Sequence, residues 1–295
     1  MIRLFASDLD GTLLGALHDV SLAVRAAIRE VTDAGAHFAV ATGRTFRSSG
    51  DFGFEGLPCE VVCANGAIVL NCESEVVRFA TMDPAVIEEM LEAFPAAPFM
   101  CIGREHSYVR GTREAYEAGY EVRGPVARVV DGVRMRAMRR GQARYPHERV
   151  FGCSAEEILS HDICKVNCRV RDADMARELS AFISERADRI VDAPFSPVMF
   201  EITAADVNKG EAVERLAGYL GISRDEVAVY GDGGNDIAML ERFAPYGHAF
   251  APYGASDDAK RAAGLVLGSN LAYAVPRHMV RTVRGRKPAA VPKGT

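Results

Sequence analysis

The stretch Phe5-Ala-Ser-Asp8-Leu-Asp10-Gly11-Thr12-Leu-Leu14 constrains this chain more than any other. A mostly apolar run from Ile2 to Ala6 ends in two aspartates two residues apart, followed at once by Gly-Thr. Side chains at i and i+2 leave an extended chain on the same side. Read physically, a buried strand delivers both carboxylates to its C-terminal tip, where open α/β sheets bind their ligands. Two carboxylates ~4 Å apart repel by roughly 4 kcal/mol at an effective dielectric near 20. A hard divalent cation with oxygen ligands is the natural offset. The plainer alternative is an ordinary Asp-Gly turn in which Asp8 caps the chain reversal.

The same pattern recurs downstream. Ser21 can cap a helix with Val24, Ile28 and Val31 on one face and Gly35 as its stop. A second strand, His37–Ala41, ends in Thr42-Gly43-Arg44. Strand, helix and strand over about 40 residues make a right-handed βαβ unit with a parallel sheet. Thr42 and Gly43 then lie on the same edge as Asp8, where a hydroxyl and backbone N–H groups can hold an anion. A helix is expected from Thr45; taken alone, Thr-Gly-Arg is equally a simple turn. A third strand, Glu60–Ala64, ends in Asn65-Gly66-Ala67, and Ile68–Leu70 with Val76–Phe79 reads as a hairpin.

After Asp206, Asn208-Lys209-Gly210 opens a helix with Val213, Leu216, Ala217 and Leu220 at helical spacing. The macrodipole disfavours a cation at Lys209. The lysine either faces anions such as Asp8 or a phosphate, or is a solvated surface residue. A further strand, Val227–Tyr230, ends in Gly231-Asp232-Gly233-Gly234-Asn235-Asp236. Asp8, Asp10 and Asp232 together suit Mg²⁺, which favours a few carboxylates, waters and phosphate oxygens. Walker A, HExxH and GxSxG motifs are absent from the chain, so P-loop, zinc-hydrolase and serine-esterase chemistry are disfavoured.

The middle of the chain has another character. From about Met82, a helical pattern around Val86, Met90 and Leu91 gives way to short strand-like pieces, a polar stretch, and strands near 163–170, 189–192 and 198–203. Cys164, Val166, Cys168 and Val170 alternate with polar residues, the mark of a half-buried strand. Four residues of strand span roughly 13 Å, too far for one metal to join two such thiols, so the seven cysteines read as reduced core residues. The arginine-rich segment from Arg134 to Arg149 is either a solvated face or a rim that attracts an anionic substrate. The domains expected are 1–81, 82–205 and 206–295, the first and last forming one core.

The chain carries a net charge of −5, with 48% hydrophobic and 25% charged residues among 295. That is a soluble composition, and the acidic balance argues against a nucleic-acid binder. No apolar run approaches the length of a membrane span and no signal-peptide core precedes Asp8, so the cytoplasm is the expected location. The tail from Gly285 is basic and rich in Pro and Gly, and is expected to be disordered. Oligomeric state is not legible.

Five motifs now stand in order: Asp8-x-Asp10-Gly-Thr-Leu-Leu, Ala41-Thr42-Gly43-Arg44, Asn65-Gly66-Ala67, Asn208-Lys209-Gly210 and Gly231-Asp232-x-x-Asn235-Asp236-x-x-Met239. This constellation resembles the haloacid dehalogenase (HAD) superfamily, in particular its Cof-type, subclass IIB phosphatases. The resemblance covers both halves of the core. It implies an α/β fold, a Rossmann-like parallel-sheet core with an inserted α+β cap domain of C2 type. It implies Asp8 as nucleophile and Asp10 as general acid and base. Mg²⁺ would be held by Asp8, the backbone carbonyl of Asp10 and Asp232. Thr42, Gly43 and Lys209 would bind the phosphoryl group, with Asn235, Asp236, Arg44 and Asn65 in support. The implied partner is a small phosphorylated metabolite, sugar phosphates first. The alternatives are a phosphosugar mutase and a catalytically silent binding protein. The sequence departs from the family pattern late, with Pro252-Tyr-Gly254-Ala255 and Leu271-Ala-Tyr-Ala-Val275 where Asn-Ala and Gly-Val-Ala are usual.

Overall fold

The computed structural model describes residues 1–15, 19–118, 149–193 and 199–285. These divide into two units, one built from residues up to Arg78 and from Asn208 onward, the other from residues between Phe79 and Val207. In chain order the described strands begin with β1 (Leu4–Ser7), β2 (His37–Ala41), β3 (Glu60–Cys63), β4 (Ile68–Leu70) and β5 (Val76–Phe79). Then come β6 (Met100–Gly103), β7 (Ser107–Val109), β8 (Arg149–Phe151), β9 (Ile163–Arg169), β10 (Ile190–Asp192) and β11 (Met199–Ala204). The last are β12 (Val227–Tyr230), β13 (Ala249–Ala251) and β14 (Leu265–Val266).

The first unit is a sheet in the order β14-β13-β12-β1-β2-β3-β4-β5. The pairs from β14 across to β3 are parallel, and β4 runs antiparallel to β3. Every residue of β1, β3, β12 and β13 is buried, as a parallel sheet covered on both faces requires. Strand order reverses between β1 and β12. The chain steps outward from β1 through β2 to β3, and later from β12 through β13 to β14 in the opposite direction. The C-terminal tips of β1 and β12 at such a reversal are the place where sheets of this kind bind ligands.

Three helices show how the sequence sets these elements. In the helix Leu22–Asp33, the Ser21 side chain accepts from Val24 N–H, and Val24, Ala27, Ile28 and Val31 face the core. In the helix Lys209–Tyr219, the Asn208 side chain accepts from Glu211 N–H at 2.8 Å. That cap fixes Lys209 as the first helical residue, fully buried. The helix Ile237–Phe243 follows a short turn over Gly234–Asp236 and buries Met239, Leu240 and Phe243.

The second unit is a six-stranded sheet in the order β10-β11-β9-β6-β7-β8. Its pairs are antiparallel except β7 with β8. The helices Pro84–Ala93 and Ala173–Ser184 supply Val86, Met90, Leu91, Leu179 and Phe182 to one core with Cys101, Val166, Cys168 and Ile202 of the sheet.

Two expectations are corrected. No helix starts at Thr45; the chain from Gly43 to Gly50 runs as bends and turns. Asp51 Oδ2 accepts from the N–H groups of Arg47 and Ser48 at 2.8 and 3.1 Å. A side chain that satisfies these donors locally competes with the helical ladder. Nor is β9 half-buried, because every residue from Ile163 to Cys168 is buried. Alternation reports polarity, but Lys165 Nζ meets Glu201 Oε2 of the neighbouring strand at 2.6 Å. That pairing lets a charged face be buried. All seven cysteines are free, six of them buried, in keeping with the reduced-core reading. The segment 134–149 lies outside the described residues except for Arg149, and of the basic tail only Gly285 lies within them.

Candidate active site

Two strand tips meet at the strand-order reversal. Asp8 follows β1 and Asp232 follows β12, and Asp8 N–H donates to the carbonyl of Tyr230 at 2.9 Å. Lys209 approaches from the helix it opens. Its Nζ donates to Asp8 Oδ1 and to Asp236 Oδ1, both at 2.7 Å. Asp236 accepts three hydrogen bonds, because its Oδ2 also takes the N–H groups of Asp232 and Gly233 at 2.9 and 3.0 Å. Asp236 therefore acts as a brace: it holds the ammonium with one oxygen and shapes the Asp232 loop with the other. Among the described residues, Asp8, Asp232 and Asp236 form the one cluster suited to a metal ion, with candidate oxygens within 4.8 Å of one another.

The electrostatics show what the cluster lacks. Burial pushes the Asp8 carboxyl well above the usual carboxylate range; Lys209 pulls it down, while Asp236 and Asp232 push it further up. Burial also raises Asp232, against hydrogen bonds from Thr12 and Asp8 that lower it. Burial by itself would lower the Lys209 ammonium, but the charges of Asp236 and Asp8 outweigh it and hold the group above its ordinary value. One ammonium thus faces three carboxylates. Asp8 and Asp232 bring carboxylate oxygens within 4.8 Å of one another, a position where a divalent cation stabilises both as anions. This donor set of hard oxygens, short of positive charge, fits Mg²⁺.

Asp10 lies in a non-helical turn with φ −81° and ψ 117°, and its carboxylate is held by Arg44 through a two-pronged pair, Nε to Oδ2 at 2.8 Å and Nη2 to Oδ1 at 2.6 Å. The side chain of Asp10 is 42% exposed and that of Arg44 23%. Its carboxylate is not in the metal-type cluster; Asp236 is there instead. Thr42 is buried just beyond β2, its Oγ1 accepting from Arg44 N–H at 3.2 Å, with Gly43 next in the chain. Asn65 is buried in a left-handed conformation with φ 57°, and Asn235 Nδ2 donates to its Oδ1 at 3.3 Å. Sequence reasoning missed Thr12, whose Oγ1 donates to Asp232 Oδ1 at 2.6 Å and aims that carboxylate. The signal was available: a hydroxyl directly after Asp-Gly, at the tip that must face Asp232.

The tips of β1 and β12 meet at this cluster. The chain belongs to the family of haloacid dehalogenase-like hydrolases, whose family model matches residues 5–279. Among curated relatives, phosphatase YwpJ of Bacillus subtilis (strain 168) is 26% identical over 290 residues, covering 95% of this chain and 99% of the relative. The 5-amino-6-(5-phospho-D-ribitylamino)uracil phosphatase YcsE of the same organism is 24% identical over 272 residues, 92% and 91% of the two chains. Among solved structures, a haloacid dehalogenase-like hydrolase from B. subtilis superposes with a TM-score of 0.78 at 24% identity, covering 94% of this chain and 99% of that one. The last likeness speaks to the fold.

Proposed function

We propose that this chain is a Mg²⁺-dependent phosphatase that hydrolyses phosphomonoesters of small metabolites, sugar phosphates first, through a phosphoryl group carried on Asp8. One observation supports this above all: Lys209 is buried between Asp8 and Asp236 at 2.7 Å from each, beside Asp232, at the strand-order reversal.

In the first step a carboxylate oxygen of Asp8 forms a bond to phosphorus as the bond from phosphorus to the substrate oxygen breaks, and Asp10 gives that oxygen a proton. In the second step water attacks phosphorus, Asp10 takes its proton, and the electron pair of the broken bond returns to Asp8. One group serves both steps because the proton given first must come back. An ammonium has three donors. Two of those of Lys209 hold Asp8 and Asp236, leaving the third for a phosphoryl oxygen beside Thr42 and the Gly43 amide. Asp8, the carbonyl of Asp10 and Asp232 would hold Mg²⁺, which when bound cancels the repulsion between an anionic nucleophile and an anionic phosphate. Substrate choice is assigned to the inserted unit between the core halves, the place of the family's cap.

The test is phosphate release from a panel of phosphorylated metabolites, with Mg²⁺ and with EDTA, for the wild type and Asp8→Asn. Release that requires both Mg²⁺ and Asp8 is expected, with Asp8→Asn folded and inactive. Near-normal activity of Asp8→Asn would sink the mechanism. Tight binding of phosphorylated ligands without any release would replace the enzyme by a binding protein.

A further inference from the structure

Phe52 has φ 60° and ψ 23°, a left-handed conformation in a bulky aromatic residue. Such a backbone persists only where the surroundings over-determine it, and it invites a functional reason. The loop around it is held firmly. Asp51 binds the N–H groups of Arg47 and Ser48, and the Arg25 guanidinium donates to the carbonyls of Gly53 and Glu55, the latter at 2.7 Å. What the strained residue gains is the position of its ring. The ring packs on Phe46 with centroids 4.5 Å apart, and the Arg44 guanidinium lies 5.0 Å from its centroid. Phe46 in turn meets Phe54 at 6.2 Å, and Phe54 stacks on Phe38 of β2 at 6.4 Å. Phe38, Phe46 and Phe54 are fully buried. A continuous aromatic column therefore runs from the central sheet to the arginine that grips both oxygens of Asp10.

We infer that Phe52 and Arg44 are positioning residues for Asp10: the strained ring steadies the guanidinium, and the guanidinium fork holds the Asp10 carboxyl oriented as the base of the second step. This rests on the phosphatase reading and deepens it. A guanidinium lying over a ring keeps its fork aimed, and a two-pronged pair fixes the direction of both carboxyl oxygens. That orientation serves the water-activating step: the water oxygen bonds to phosphorus, the bond from phosphorus to the Asp8 oxygen breaks with its electrons going to the Asp8 carboxylate, and the water proton goes to Asp10.

The test uses p-nitrophenyl phosphate, whose leaving group departs without a proton, so that the second step alone depends on Asp10. The full-length wild type, Phe52→Asn, Phe52→Tyr and Arg44→Lys are compared by rapid mixing. Asparagine tolerates the left-handed backbone but has no ring. Arg44→Lys keeps the charge and loses the fork. The expected result for Phe52→Asn and Arg44→Lys is a burst of nitrophenolate larger than the wild type's, followed by a steady rate lower by about tenfold. Phe52→Tyr restores the wild-type pattern. A loss of rate without a larger burst would place the defect in the first step and overturn the inference, as would wild-type kinetics in both Phe52→Asn and Arg44→Lys. If Phe52→Asn does not fold, Arg44→Lys decides. An inactive wild type, or an active Asp8→Asn, would instead overturn the phosphatase reading, and the positioning role with it.

Discussion

Replacing Lys209 by Met removes the ammonium that Asp8 and Asp236 share beside Asp232, while keeping the length of the side chain. Each of its two contacts is 2.7 Å long and buried. At an effective dielectric of 20, each is worth about 6 kcal/mol of Coulomb energy before the cost of desolvation is subtracted. Removing one partner of a buried ion pair costs about 3–5 kcal/mol, because the remaining charge is left uncompensated. The lower end applies here, because a carboxyl already pushed upward can take up a proton and cap the loss. Burial raises Asp8 and Asp232 above their unfolded values. The native state therefore binds more protons than the unfolded chain between those values, and stability rises as pH falls through that window. Urea unfolding in EDTA should show a deficit of about 3 kcal/mol at pH 7 that shrinks at pH 5. A deficit below about 1 kcal/mol at pH 7, the size of an exposed pair, or one that grows on acidification, would refute the electrostatic account.

Gly11 has φ +86°, and a Cβ there would lie 2.3 Å from Asp232 Oδ2. Gly11→Ala should cost about 1–3 kcal/mol in backbone strain and move Asp232, so the Mg²⁺ concentration for half-maximal phosphate release should rise at least about tenfold; an unchanged Mg²⁺ curve would show that the tip adapts. His278 is held near pH 4 by burial, below the ordinary 6.5, with its Nδ1 2.9 Å from the Tyr230 hydroxyl. Its native pKa is depressed, so the unfolded chain binds the extra proton between pH 6.5 and 4, and stability falls as pH drops through that window. His278→Gln should remove up to about 3 kcal/mol of acid sensitivity, read as a wild-type-minus-variant difference in unfolding free energy from pH 7 to pH 4; a flat difference would refute it. Burial holds the Cys72 thiol near 11, and pushes the fully buried Cys59 well upward. Thiol-reactive dye at pH 8 should therefore modify the native protein slowly at all seven cysteines, and a thiol reacting within seconds would contradict the burial argument.

The core was legible because its strands are short apolar runs that each end in a glycine-marked polar tip. That pattern exposes the sheet edge and the residues on it: Asp8, Thr42, Asn65 and Asp232. Pairings between tips were not legible. Thr12 and Asp232 are 220 residues apart, and Arg44 and Asp10 are 34 apart. Nothing local says which carboxylate a given donor will find. Asp236 shows the same limit. Its rank as a support came from resemblance, whereas its three hydrogen bonds become visible only when the helix of Lys209 and the loop of Asp232 meet. The missing helix at Thr45 and the buried Lys165 are the converse case. There, side chains formed specific hydrogen bonds that overrode what periodicity and polarity predict on average.

Glycine carries a meaning at these tips that sequence reading assigned only in part. The glycine after Asp10 was read as freedom to turn, and its φ of +86° agrees. But the turn is half the requirement. A Cβ at Gly11 would lie 2.3 Å from the Asp232 carboxylate, and a Cβ at Gly231 would lie 2.4 Å from Asp236 Cβ. Each glycine therefore leaves the space into which an acid belonging to the metal-type cluster is packed. The tip of β1 makes room for the acid of β12, and the tip of β12 makes room for the acid that braces Lys209. Asp8, Asp232 and Asp236 can then gather around a single ammonium without their backbones being forced apart. A site of this kind cannot be assembled by placing acids alone. The motifs pair an acid with a glycine because the close approach that makes the cluster repulsive, and therefore fit for a cation, is possible only where a neighbouring residue has no side chain.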